Sequence, residues 1–355
     1  MTDSGKIVKE LALLGGISAL LISCAGRPSA SERPSASGAG SPPLWVSDKN
    51  TVYPAEMYLA ELGEGDSLGA AKADAAGAIA QIFRLKVKVD SEIRTRYTEI
   101  TGSKGEINLL SQTDFDQKIG QEADETFTNL KYGESWTDQL GRVYTIAYLN
   151  RLETGNLYRE RIERNDHRIL ELLDRAEDQR EPLRRYAFLD AALVYTEANQ
   201  ILFEQLEIIN MPMARLIETP YNRGEIRAIR ADQAVELKIH VEAAGDPDGK
   251  ITDILENWIT EKGFTRSSSG DMFLAAAMEI EPLELDNKYE NLNWTINIGL
   301  IDVDGYQVVA LSKQSRSSGI NAAAAEARTY RDMTKLIQVD FDKKFSAYLS
   351  SFLGK

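Results

Sequence analysis

The sequence predicts an α/β (α+β) protein in which two small α/β domains, each with a helix-packed sheet, are joined by a helical hairpin. Three observations lead to this prediction. Strand-like alternation of apolar and polar residues occurs in two separate regions, residues 44–150 and 223–355. Between them, residues 151–215 carry apolar side chains at helical spacing in two long stretches. Ahead of these regions, residues 1–43 have the composition of an export signal followed by a linker.

Charge and residue counts exclude several classes of function. The 355-residue chain has 55 acidic and 41 basic side chains and a net charge of −14. Because a polyanion is repelled by such a protein, we expect no nucleic-acid partner. One cysteine and two histidines, His167 and His240, are too few for a disulfide framework or a cysteine/histidine zinc cluster. We therefore expect no cofactor.

Residues 1–23 have the pattern of a signal peptide. Lys6 and Lys9 precede the apolar run 11–23. That run would rise only about 20 Å as a helix, which is too short for a hydrocarbon core of about 30 Å. An uncleaved apolar N-terminus is the alternative, since Asp3 and Glu10 offset the two lysines.

The residue that ends this run is the single cysteine, Cys24. The preceding Leu21-Ile22-Ser23 resembles the bacterial lipobox, which implies that Cys24 becomes the mature N-terminus and carries palmitate or similar acyl chains. Ala25 follows it where retention in the inner membrane would call for Asp. The resemblance therefore implies outer-membrane delivery, with lipid as a partner and the body facing the periplasm. Two or more acyl chains anchor stably, whereas one chain is marginal.

A linker follows the cysteine. Residues 24–43 are almost wholly Ala, Ser, Gly and Pro after Cys24, a composition that cannot bury enough apolar surface to fold. Random-coil scaling gives it a root-mean-square reach of about 25 Å. We expect it to be a tether that holds the folded body clear of the lipid headgroups.

The first domain, residues 44–150, is predicted to have the order strand, helix, strand, helix, strand. The predicted elements are a strand from 57 into a glycine turn at 63–67, a helix over 67–83, a strand over 85–93, a helix over 107–128 and a strand over 141–149. The first helix is poor in large side chains, and the small residues of its apolar stripe permit close packing against a sheet. The stripe consists of Ala71, Ala75, Ala78, Ile79 and Ile82.

A known family shares this pattern. Pro43-x-Trp45 ahead of a tyrosine-containing strand, then Gly63-x-Gly65-x-Ser67 and an alanine-rich helix, resembles the LPP-twenty-type bacterial outer-membrane lipoproteins over about residues 43–150. Leu62 departs from the family, which usually has a small residue there. Members and related flagellar ring and basal-disk domains are structural or assembly components. The resemblance implies a non-enzymatic role, with envelope or flagellar proteins or further copies of the chain as partners.

The glycine pair has two interpretations. Gly63 and Gly65 predict a tight structural turn, with Asp66 or Ser67 as the helix cap. A dinucleotide-binding turn is the alternative, because it also begins with Gly-x-Gly between a strand and a helix. Its third glycine would fall on Leu68, and acidic side chains crowd the place of the pyrophosphate. We therefore predict a structural turn.

The hairpin, residues 151–215, is predicted to break at Pro182, with one apolar stripe on each helix. Three tyrosines, Tyr158, Tyr186 and Tyr195, either belong to the core or line a groove for a peptide. Stripes at helical spacing usually form the core, so the core is the favoured interpretation.

The C-terminal domain, residues 223–355, is predicted to contain four strands and two helices. In chain order these are a strand over 235–241, a turn over 246–249, a helix over 250–262, strands over 273–280, 291–303 and 306–312, and a helix over 321–352. The pairs Asp246/Asp248 and Asp302/Asp304 occupy turns and lack the spacing of a calcium loop. His240 has no second ligand near it in the sequence, so a packed or solvent-facing histidine is expected. We predict no metal site.

No catalytic residue is predicted. The mature chain lacks Gly-x-Ser-x-Gly, although two carboxylates from separate domains would still suffice for a glycosidase. The leading hypothesis is a non-catalytic, lipid-anchored structural or assembly component of the cell envelope. The alternative is an adaptor or activator of an enzyme that synthesises or remodels peptidoglycan.

Overall fold

The computed structural model describes residues 41–88, 90–102, 128–270 and 272–354. The described residues form one compact unit. The predicted signal peptide, Cys24 and nearly all of the tether lie outside the described residues, as does the predicted helix over 107–128 up to residue 127.

The first domain is built on a three-stranded antiparallel sheet in the order β1-β3-β2. Its elements are α1 (Leu44–Ser47), α2 (Lys49–Val52), β1 (Tyr58–Gly65), α3 (Leu68–Lys86), α4 (Ser91–Thr101), β2 (Lys131–Thr137) and β3 (Val143–Asn150). Helix α3 packs on β1 and β3 through its small side chains, Ala71, Ala75 and Ala76 among them. On the other face of the sheet, Trp45 of α1 packs against Ala60 and Ile146.

One predicted strand of this domain is absent, and one observed strand was not predicted. The described residues within 85–93 form no strand, because α3 continues to Lys86 and the Asp90 side chain accepts a hydrogen bond from Glu92 N, at 2.8 Å, to begin α4. Leu85, whose spacing suggested a strand, is exposed at the end of α3. Strand β2 was not predicted, because its sequence is largely polar and contains Gly133.

Helices α5 (Arg151–Asp178) and α6 (Pro182–Ala214) form the predicted hairpin, and Pro182 is the first residue of α6. Near its end α6 is kinked at Asn210 (φ −152°, ψ 80°), two residues before Pro212. The Arg151 guanidinium donates to the carbonyls of Ile208 and Ile209, at 2.8 and 2.7 Å, and to Ala55 O at 2.7 Å. One side chain thus joins the kink to the segment that leads into β1.

The C-terminal domain contains a five-stranded mixed sheet in the order β5-β4-β6-β7-β8. Its elements are α7 (Arg223–Glu236), β4 (Lys238–Ala244), α8 (Lys250–Glu261), β5 (Thr265–Arg266), β6 (Met272–Leu283), β7 (Glu290–Ile301), β8 (Gln307–Gly319), α9 (Ala322–Lys335), a π-helical turn (Leu336–Phe341) and α10 (Asp342–Ser351). Strand β4 is parallel to β5 and β6, whereas β6, β7 and β8 are antiparallel. The predicted fold class, mixed α/β with two sheets, is confirmed.

Three element boundaries in this domain differ from the prediction. Strand β4 begins at Lys238, since α7 occupies the residues before it. Strand β8 continues seven residues beyond the predicted end at Ser312, because pairing with β7 extends through a polar segment to Gly319. The predicted C-terminal helix is interrupted by the π-helical turn.

Helix α6 contributes to both hydrophobic cores. Phe188, Ala192 and Leu202 pack with the first domain and α5. Leu183 and Tyr186, at the start of the same helix, pack into the C-terminal core, where Trp258 meets the rings of Phe341 and Phe345 edge-on. The second helix of the hairpin therefore supplies buried side chains to the cores of both domains, in addition to linking the domains along the chain.

Candidate functional site

The Gly63-x-Gly65 pair lies within β1, and neither glycine has a positive φ. The expected turn is therefore wrong in its geometry. A Cβ on Gly63 would lie 2.2 Å from Ala71 O and 2.3 Å from Ala75 N, and a Cβ on Gly65 would lie 2.6 Å from Ala70 Cβ. Both glycines face α3, so their lack of a side chain is what lets the helix approach the strand.

Ser67 begins α3, because its side chain accepts a hydrogen bond from Ala70 N at 3.2 Å. Nearby, the Asp74 carboxylate accepts a hydrogen bond from Glu64 N at 3.0 Å. The end of β1 is thus held to α3 by an acidic side chain, and a phosphate there would meet that negative charge.

The residues considered as metal ligands have structural partners. The Asp246 carboxylate accepts hydrogen bonds from the N–H and hydroxyl of Thr252, at 2.8 and 2.9 Å. Asp302 accepts from the N–H groups of Asp304 and Tyr306, at 3.0 and 2.8 Å. His240 is half-buried, with its ring 5.2 Å from that of Phe273. In the described part of the chain, no group of three or more His, Cys, Asp or Glu side chains is placed to hold a metal ion.

The three tyrosines of the hairpin are all buried, with exposed fractions of 2% for Tyr158, 1% for Tyr186 and 8% for Tyr195. They belong to the core, which confirms the favoured interpretation, and they do not line a groove.

The candidate site is a cleft of about 610 Å³ between the first domain and the C-terminal domain. Helix α4 forms one wall, and α8, the π-helical turn and α10 form the other. Its lining is mostly polar and charged: Ser91, Glu92, Thr95, Arg96, Glu99, Trp258, Glu261, Lys262, Gln338, Val339, Asp342, Lys343 and Ser346.

Beside the cleft lies a buried carboxylate, Asp190 of α6, which is 4% exposed. Arg96 of α4 donates to it at 2.5 Å, and Arg230 of α7 donates to it at 3.1 and 3.2 Å. Arg230 also hydrogen-bonds the hydroxyl of Tyr186. One acidic side chain therefore connects three helices from different parts of the chain.

The electrostatics of this cluster favour the ionised forms of Asp190 and Arg96. Burial by itself raises the pKa of Asp190, but attraction and hydrogen bonds from Arg96 and Arg230 outweigh burial and hold this pKa below its ordinary value. Burial also lowers the pKa of Arg96, and the Asp190 carboxylate outweighs that effect and leaves it raised. Asp190 and Arg96 therefore both remain charged at neutral pH.

A second ion pair lies on the opposite wall. Asp342 accepts hydrogen bonds from Trp258 Nε1 at 3.0 Å and from Lys262 Nζ at 2.7 Å. On the rim, Glu92, Glu99 and Lys343 are exposed to solvent. The inner charges in and beside the cleft thus pair with each other, whereas these outer charges face solvent.

A second buried polar cluster, which the sequence did not indicate, runs through the hairpin. Tyr97 receives a hydrogen bond from Arg161 at 2.6 Å and donates to Asn165 at 3.1 Å. Asn165 donates to Asn199 at 2.7 Å, and Asn199 donates to Asp166 at 2.8 Å. Burial raises the pKa of Asp166 from its ordinary 3.8 to about 6. The only sequence signal is the presence of polar residues at core positions of helical stripes.

No protein family profile and no curated protein matches the chain. Among solved structures, a minor lipoprotein from Acinetobacter baumannii is 17% identical with a TM-score of 0.24, over 33% of this chain and 92% of that one. A secreted protein from Helicobacter pylori is 14% identical with a TM-score of 0.39, over 79% and 98% of the two chains. Lipoprotein GNA1162 from Neisseria meningitidis is 11% identical with a TM-score of 0.21, over 29% and 99%.

Similarity at these identities and TM-scores transfers no activity, partner or location from those proteins to this chain. Within the described ranges, no helix combines the length and apolarity that a membrane crossing requires.

Proposed function

We propose that this chain is a non-catalytic lipoprotein of the bacterial cell envelope, in which lipid on Cys24 holds a folded body that acts as a structural or assembly component. The observation that carries the proposal is the position of the single cysteine. It follows the apolar run 11–23 and the sequence Leu21-Ile22-Ser23, and it precedes a Ser/Ala/Pro/Gly segment that continues to residue 43. This is the order that a lipid anchor, a tether and a body require.

The finer form of the proposal rests on the resemblances. Ala25 after the cysteine supports outer-membrane delivery with the body in the periplasm. The Pro43-x-Trp45 and Gly63-x-Gly65-x-Ser67 patterns support a relation to LPP-twenty-type lipoproteins, and hence assembly with envelope or flagellar proteins or with further copies.

The geometry of the body supports binding more than chemistry. The inner charges in and beside the cleft have partners: buried Asp190 pairs with two arginines, and half-buried Asp342 pairs with Lys262 and accepts a hydrogen bond from Trp258. Such pairs hold the walls rigidly, and the exposed rim charges, Glu92, Glu99 and Lys343, remain available for a partner. We assign the cleft as the surface through which the body assembles.

The anchor is tested with Cys24→Ser in the full chain, expressed in a bacterium with two membranes. We expect the parent chain to incorporate labelled palmitate and to enter the detergent phase of Triton X-114, and the variant to lose both properties. Ser23→Ala is the matched control, since it keeps a small residue before the cysteine and should be processed normally. Palmitate labelling of Cys24→Ser would refute the assigned anchor.

Assembly through the cleft is tested by placing a photo-crosslinking amino acid at Glu99 in cells. Leu140, which is 93% exposed and belongs to the loop between β2 and β3, is the control position. We expect Glu99 to give a discrete cross-link to another envelope protein or to a second copy, and Leu140 to give none. A peptidoglycan synthase as the main product would favour the adaptor over the structural component.

A further inference from the structure

Three segments that are distant in the sequence meet around Arg151, where β3 ends and α5 begins. The Arg151 N–H donates to Met57 O, just ahead of β1, at 2.9 Å. The Asn210 side-chain amide, at the kink of α6, donates to Arg151 O at 3.3 Å. These two hydrogen bonds hold one end of the first sheet against the end of α6.

Each of the three segments exposes a large apolar side chain at this junction. The exposed fraction is 55% for Met57, 63% for Leu152 and 47% for Met211. Ala55 and Pro212 are exposed beside them. We call Met57, Leu152 and Met211 the junction patch. A single exposed apolar side chain is ordinary, but three around one junction indicate a contact surface.

Half-buried tyrosines continue from the patch onto the face of the first sheet that lies opposite α3. Tyr58 directly follows Met57, and the rings of Tyr53 and Tyr148 lie 5.5 and 5.6 Å from the Tyr58 ring. Tyrosine combines an apolar ring with a polar hydroxyl, and it is therefore enriched where a protein meets the headgroup region of a bilayer. The composition of this end of the domain fits the boundary between lipid and water.

The charged side chains around the patch balance one another. Residues 55–58, 151–153 and 207–215, together with the Lys131 that pairs with Glu153 at 2.7 Å, contain three acidic and three basic side chains. They are Glu56, Lys131, Arg151, Glu153, Glu207 and Arg215. This end is thus locally neutral in a chain whose net charge is −14, so it suits a zwitterionic headgroup surface better than an anionic one.

The predicted tether keeps a bilayer within reach of this end of the body. It leads into α1, whose Trp45 packs against Ala60, three residues after Met57. Three residues of strand span about 10 Å, whereas the tether reaches about 25 Å from Cys24. Three apolar side chains are too few to hold a free protein on lipid, but an anchored chain meets the surface at a high effective concentration. No such constraint brings a partner protein to this end.

We propose that the junction patch contacts the bilayer that holds the lipidated Cys24, with Met57, Leu152 and Met211 at the boundary between zwitterionic headgroups and acyl chains. The inference rests on the proposed lipid anchor and adds an orientation of the body to it. The loop between β2 and β3, at the opposite end of the sheet and about 25 Å away along β3, then points away from the membrane.

The test labels single cysteines in the lipidated full chain, reconstituted in vesicles of phosphatidylcholine and phosphatidylethanolamine. Lipidation leaves Cys24 without a free thiol, so each added cysteine is the one site for an environment-sensitive dye. The patch variants are Met57→Cys, Leu152→Cys and Met211→Cys, and the matched control is Leu140→Cys in the loop between β2 and β3, where Leu140 is 93% exposed. We expect spin-labelled lipid to quench the dye at the three patch positions at least twofold more than at the control.

Flotation of the same vesicles separates this inference from the anchor. If the chain floats with the vesicles and quenching at the patch equals quenching at Leu140, the patch inference is refuted and the anchor is retained. If the chain does not float, the anchor is refuted and this inference with it. A dye at Met57 that shifts to the blue without being quenched by spin-labelled lipid would show that protein, such as a second copy, covers the patch, and this too would overturn the proposal.

Discussion

Asp166 makes the stability of this protein depend on pH in a way that a single substitution should remove. The carboxylate is 7% exposed in the hairpin and accepts a hydrogen bond from Asn199 Nδ2 at 2.8 Å. Burial raises its pKa to about 6, above its ordinary 3.8, because the hydrogen bonds from Asn199 and Tyr221 only partly offset the loss of water. Asp166→Asn keeps an acceptor for Asn199 and removes the ionisable group.

The direction of this pH dependence follows from the linkage between proton binding and folding. A pKa that is higher in the folded state means that the folded state binds the proton more tightly, so Asp166 contributes stability that is fully present below pH 3.8 and is lost as the pH rises through about 6. With these two pKa values, Asp166 makes the free energy of unfolding about 1.4 kcal/mol larger at pH 5 than at pH 7.5. At pH 4 the free energy of unfolding is about 2.4 kcal/mol larger than at pH 7.5. The asparagine variant lacks this gain.

The measurement is the free energy of unfolding in urea for both proteins between pH 5 and pH 7.5. Other titrating groups act in both proteins, so the difference between the two isolates Asp166. As the pH falls from 7.5 to 5, we expect the free energy of unfolding of the parent to rise by about 1.4 kcal/mol more than that of the variant. Asp174→Asn removes a carboxylate from the exposed face of the same helix and is the matched control for the loss of one charge. A difference for Asp166→Asn that stays constant with pH, or grows in the opposite direction, would refute the reasoning.

Two further substitutions test the packing that positions the candidate site. Gly63→Ala should lower stability in urea denaturation by about 2 kcal/mol or more, since its Cβ would meet backbone atoms of α3 at 2.2 and 2.3 Å. Gly69→Ala in α3, whose Cβ would lie 4.0 Å from the Ser67 hydroxyl, is the control and should leave stability unchanged or raise it by up to about 1 kcal/mol. A neutral Gly63→Ala would show that the helix has room to move. Asp190→Asn should cost about 3 kcal/mol, because it leaves Arg96 and Arg230 without their buried counter-charge. If Asp190→Asn melts within 1 °C of the parent, the cluster does not hold the cleft.

Much of the fold followed from local patterns in the chain. Pro182 and the apolar stripes were sufficient to place the hairpin, because a helix shows its buried face at a period that the sequence displays directly. The exact ends of α3 and β8 did not follow. From Leu85 onward, apolar and polar residues alternate as in a strand, although Leu85 lies exposed at the end of α3. The second half of β8 is polar, so its strand conformation depends on pairing with β7.

The sequence by itself determined the lipid-anchor prediction at Cys24, the spacing of Gly63 and Gly65, and the net charge, because each is a property of neighbouring residues or of composition. Only the tertiary structure decided which charges meet. Arg96 and Arg230 lie 94 and 40 residues from Asp190 in the chain, and no local pattern links them. The same is true of the junction patch, since its three side chains become neighbours only where the ends of β1, β3 and α6 meet.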